Sequence, residues 1–203
     1  MRIFPRSIAL AVVTAASITG AANAATLSVD GSVPALPPAG NDFVPGGLSG
    51  LTFIDALTAL VVNGRSILTF TEVGAQSSFD STFTASGTSI TENADFGIPN
   101  FSDGASFSKT YAGGTSLFGL LGFTSNLGNA ANPGDYGFGV YAAGGPGAYS
   151  TLYFAYDDAP WIDSDYSDYL IRVDVAPVPL PATGLMLLMG IGGLAALQRR
   201  VKC

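Results

Sequence analysis

Five carboxylates crowd into one short stretch of this chain: Asp157, Asp158, Asp163, Asp165 and Asp168, with no basic residue among them. Like charges at that density repel unless water or a cation intervenes. Hard oxygen donors suit Ca²⁺, which takes about six to eight of them. Asp163, Asp165 and Ser167 fall at alternate positions, the opening rhythm of a calcium loop. The rhythm then departs from the helix-flanked type, because Asp168 stands sixth, where that loop needs Gly for its turn. A second reading is equally open. The acids then form a solvated turn, with Asp158 and Asp168 capping backbone N–H groups. Trp161, the only Trp, sits in the same stretch between Pro160 and Ile162. It reads as a plug pinning the loop to the domain, or as a platform on which a sugar ring could stack.

Other chemistries are excluded by what is missing. The chain has no His, and its single Cys is Cys203 at the very end. Ser-His-Asp and Cys-His nucleophile systems therefore have no members, and most zinc and copper sites lack ligands. No pair of acids is set apart by apolar surroundings as a glycosidase pair would be. All 15 acidic residues lie between Asp30 and Asp174, against three bases there, Arg65, Lys109 and Arg172. That balance argues against nucleic acid, whose binding rests on neutralising phosphates. The reading is non-enzymatic.

The elements that must carry the acidic stretch read as strands. Tyr149–Tyr156 before it is aromatic and Thr-rich. Tyr169–Val175 after it places Leu170, Arg172 and Asp174 on one face and Ile171, Val173 and Val175 on the other. Ala25–Val29, Phe79–Phe83, Ser106–Tyr111, Ser116–Phe123 and Gly137–Tyr141 are further short candidates. Leu51–Val62 is ambiguous, since Ile54, Leu57, Leu60 and Val61 could stripe a helix. However, Asn63-Gly64 follows it and precedes a β-rich run, the pattern of a hairpin with φ > 0 at both turn residues. Residues 31–50 hold four Pro and five Gly and read as a loop. The expected fold class is all-β: a sandwich-like domain of short antiparallel strands over residues 25–176.

Both ends carry transport signals. Arg2 and Arg6 precede the apolar run Ile8–Ile18, and Ala22-Asn23-Ala24 is a small-x-small cleavage site. Residues 1–24 are therefore a secretory signal peptide of the Sec type, because the two arginines are not adjacent. At the other end, residues 177–203 contain Val178-Pro179-Leu180-Pro181-Ala182, an apolar run Thr183–Leu197, then Arg199 and Arg200. Arg and Lys beside an apolar span favour the cytoplasmic side, so the large domain lies outside. The span is 15 residues, about 22 Å as a single transmembrane helix, against a hydrocarbon core of about 30 Å. A plain membrane anchor is the alternative, but the short glycine-rich span favours a processing signal.

In all three parts and their order, this tail resembles the PEP-CTERM sorting signal of Gram-negative bacteria, in its V-P-L-P-A variant. The resemblance implies an exosortase-type sorting protease as partner, anchoring in the inner membrane before cleavage, and release to the cell surface or beyond. The segments Leu152–Tyr156, Asp163–Asp168 (of the form D-x-D-[YH]-[ND]-D, with Ser167 departing from it) and Leu170–Val173 also resemble the domains that precede such tails. That likeness implies a secreted β domain linked to exopolysaccharide and the cell surface: a structural component of the extracellular matrix, or a carbohydrate-binding or calcium-stabilised adhesive module.

Overall fold

The computed structural model describes residues 25–34, 47–77, 79–92, 104–159, 165–179 and 189–191. The signal peptide with Ala22 and Ala24 lies outside them, as do Trp161, Asp163 and the tail residues Leu180, Pro181, Ala182, Arg199 and Arg200. Residues 189–191 are helical. Among the described residues no helix is long and apolar enough to cross a membrane.

Alternating apolar and small polar residues fold into twelve strands among the described residues. They are β1 (Thr26–Ser32), β2 (Thr52–Asn63), β3 (Ser66–Ala75), β4 (Ser81–Ala85), β5 (Thr88–Thr91), β6 (Ser106–Tyr111), β7 (Leu121–Ser125), β8 (Ala130–Ala131), β9 (Phe138–Ala142), β10 (Gly147–Tyr149), β11 (Thr151–Tyr156) and β12 (Tyr169–Pro177). Eight form one sheet in the order β10-β1-β2-β9-β11-β12-β3-β6, and four form a second in the order β5-β4-β7-β8. The all-β expectation holds, with two antiparallel sheets.

Aromatic rings fill the space between the sheets. Phe83 and Phe123 of the small sheet meet Phe70, Phe154, Phe138 and Tyr156 of the large one, with ring centroids 5.0–6.4 Å apart across the wider cluster. Pairs at these separations add attraction beyond the area they bury. The opposite face of the large sheet is covered too. Leu48, Phe53, Val73, Tyr141, Ala155, Tyr166 and Leu170 form a second cluster there. The period-2 alternation therefore serves two apolar layers, with Leu170 facing one and Ile171 the other.

Asn63-Gly64 does separate two strands, so the helix alternative for Leu51–Val62 is not what forms. The two strands do not make a hairpin ladder, however. β2 pairs with β1 and β9, while β3 pairs with β12 and β6. The reason is local. Gly64 takes φ of 69°, but Asn63 is not among the residues with positive φ, so the mirror-image turn does not close. The Asn63 side chain donates instead to Thr26 Oγ1 (2.9 Å) and Ser28 Oγ (2.7 Å) on β1. Two other expectations shift. Ser116 makes only a single bridge to Val61, and a turn precedes β7. The aromatic run Tyr149–Tyr156 breaks at Ser150 into β10 and β11, which pair with different neighbours.

The registers give the large sheet two poles. Phe138, Tyr156, Tyr169 and Ala75 lie together at one end. Thr151 sits opposite Asp174 toward the other end, where Pro177, Ser66 and Tyr111 lie together. The acidic loop joins β11 to β12 at the first pole, and the tail leaves β12 at the second.

Candidate functional site

The two described ends of the acidic stretch, 157–159 and 165–168, are bound down by their own carboxylates. Asp157 and Asp158 are 1% and 3% exposed, buried rather than solvated. Asp157 Oδ1 accepts from the Ala159 N–H at 3.0 Å, and Asp165 Oδ1 from the Ser167 N–H at 3.0 Å. Each closes the local turn that Asp favours by bonding two residues on. Asp168 Oδ2 accepts the Asp158 N–H at 2.5 Å, joining the two sides of the loop. Asp158 Oδ2 accepts from Ser77 Oγ at 2.8 Å, after the end of β3. Asn129, in the β7–β8 turn of the small sheet, donates its Nδ2 to the Asp158 carbonyl at 2.5 Å, and its own carbonyl accepts from Tyr156 OH at 3.0 Å. The loop thus ties both sheets together at this pole.

Tyr166 is the ring this loop plants in the domain. It is 4% exposed, takes a left-handed φ of 55°, and sits 4.6 Å from the Phe53 ring. Phe53 lies directly over Gly139, where an added Cβ would stand 2.2 Å from its Cε2. A left-handed φ is uncommon outside Gly, and here the buried ring holds it. Burial pushes the Tyr166 hydroxyl up to about 12, with Asp157 and Asp55 adding to the rise.

Burial likewise pushes the Asp168 carboxyl well above the usual range, and Asp158, Asp165 and Asp157 push it further. The fit to Ca²⁺ follows from the same geometry. One oxygen each of Asp157, Asp158, Asp165 and Asp168 already accepts a hydrogen bond from the protein. Among the described residues no three acidic side chains are grouped so as to hold a metal ion. Asp163, the fifth of these acids, lies outside the described residues.

A polar layer, not foreseen in the sequence, lies at the edge of the core. Glu92 is 2% exposed, just past β5, and its Oε1 accepts the Ser81 N–H at 2.9 Å. Its Oε2, with Ser81 Oγ and Tyr169 OH, finds no hydrogen-bond partner among the described residues. Burial raises the Glu92 carboxyl to about 8, with Glu72 and Asp80 contributing. The same burial, with Glu72 and Glu92 nearby, raises the Tyr169 hydroxyl. The only sequence signal was one Glu amid Thr and Ser, too little to separate an edge charge from a buried acid.

At the opposite pole the tail begins without a spacer. Pro177 still pairs with Ser66, and the Val178 N–H donates to the Arg65 carbonyl at 3.2 Å. Val178 is thus placed against the β2–β3 connection, while Pro179 after it is exposed. No curated protein and no solved structure matches the chain. Residues 177–202 do match a family model, the PEP-CTERM protein-sorting motif. The chain therefore carries the motif of exported proteins that exosortase-type machinery sorts to the cell surface.

Proposed function

We propose that the exported domain is a non-enzymatic structural protein of the cell surface or extracellular matrix, cut from its tail by an exosortase-type protease. The observation carrying this reading is the inward use of the acidic loop. Among the described residues, Asp157, Asp158, Asp165 and Asp168 each bond one of the protein's own N–H or O–H groups, which supports a role in securing the fold. The lack of any His points the same way. The test is recovery from the native cell surface. Intact mass should lack residues 1–24 and the Arg199-Arg200 end, and a strain without the protein should lose matrix cohesion. A deletion strain with unchanged matrix and attachment would overturn the structural role. A surface species still carrying Arg199 and Arg200 would overturn the processing.

One observation favours a second reading, a carbohydrate-binding module for the exopolysaccharide. Tyr136 is 62% exposed, and Phe118, 36% exposed, packs against Gly134 two residues before it. Exposed rings of this kind can stack on sugars. Glycan-array binding that disappears in Tyr136→Ala would select this reading, and an array without signal would reject it.

A further inference from the structure

We infer that the first residue of the sorting motif is latched into the folded domain, so that the protease receives its substrate only when the end of β12 frays. This rests on the reading of the tail as a protease-sorted signal. β12 stays paired with β3 through Ala176–Ile67 and Pro177–Ser66. The next residue, Val178, is half-buried, and its N–H is held by the Arg65 carbonyl. The β2–β3 connection that supplies this carbonyl is itself fixed. Gly64 holds φ of 69°, and Gly113 lies so close that an added Cβ would stand 2.9 Å from Gly64 Cα. Ser66 Oγ donates to the Asn63 and Gly64 carbonyls at 3.2 Å each. Backbone already paired in this way cannot also be taken as an extended strand by an enzyme. Cutting then proceeds through the fraction of molecules in which the last rung is open. The latch is a backbone carbonyl, so the Arg65 side chain is not required for it.

Pulse-chase of the full precursor in a host carrying the protease tests this. Inserting Gly-Ser-Gly-Ser between Pro177 and Val178 lets an inserted Gly take over the bond to Arg65 and frees the motif. The precursor half-life should fall about five-fold, the factor expected for one hydrogen bond of ordinary net strength. Arg65→Ala should leave the half-life unchanged. An unchanged melting temperature shows that each variant still folds. Equal or longer half-life for the insertion variant overturns the latch, and faster processing of Arg65→Ala overturns its assignment to the backbone carbonyl. Failure of the wild type to be cut removes the sorting reading itself, and the latch with it.

Discussion

Replacing Glu92 by Gln should remove a large contribution to the pH dependence of stability. The side chain is buried, its Oε1 bonds the Ser81 N–H, and burial raises its carboxyl from the ordinary 4.5 to about 8. A raised value means that the folded state binds the proton more tightly than the unfolded chain does. The stabilisation is complete below about pH 4.5 and is lost as pH rises through about 8. Each tenfold difference in proton affinity between the folded and unfolded states is worth about 1.4 kcal/mol, so the loss between pH 5 and pH 9 comes to about 4 kcal/mol. That is a large share of a typical domain stability of about 5–15 kcal/mol. Gln keeps the acceptor for Ser81 and removes the charge, so it imitates the protonated acid. Urea unfolding of the mature protein at pH 5 and at pH 9 is the assay. Wild type should lose most of this stability at pH 9, while Glu92→Gln should match it at pH 5 and exceed it by about 3–4 kcal/mol at pH 9. Part of the slope remains in the variant, because Asp168 and Glu72 are raised as well. Identical pH slopes for the two proteins would refute the reasoning.

Gly139→Ala should destabilise by about 1–3 kcal/mol in chemical denaturation, since its Cβ would overlap the Phe53 ring that packs on Tyr166; an unaffected midpoint would mean that this ring stack is loose. Tyr166→Ala should cost about 3 kcal/mol through the lost ring, reduced somewhat by relief at its left-handed backbone. Calcium at about 10 mM should leave the melting temperature within about 2 °C of a chelator control at matched ionic strength, because one oxygen each of Asp157, Asp158, Asp165 and Asp168 is already taken by an internal hydrogen bond. A rise of about 5 °C or more, lost in Asp163→Ala, would show that the loop does close around the ion.

Local pattern was enough for the strand character, because alternation and turn residues act over a few neighbours. Ser106–Tyr111 forms over the range expected, and β12 runs from Tyr169 as its alternation requires. The tail motif was equally legible, since a sorting signal is read as a linear sequence. What lies between needed the tertiary structure. Asn63-Gly64 has the composition of a hairpin turn, yet Asn63 spends its side chain on β1, and β2 and β3 go to different partners. Five aspartates between Asp157 and Asp168 suggest an ion or water. Which groups they meet depends on which N–H groups come within reach, and for Asp157, Asp168 and Asp165 those of Ala159, Asp158 and Ser167 do. Glu92 becomes a buried acid only because β4 and β5 bring it against Ser81 near Tyr169 and Glu72. Burial and long-range hydrogen bonding are properties of the packed chain, so the burial of Glu92, the internal bonding of Asp157, Asp158, Asp165 and Asp168 and the bond that holds Val178 were decided there.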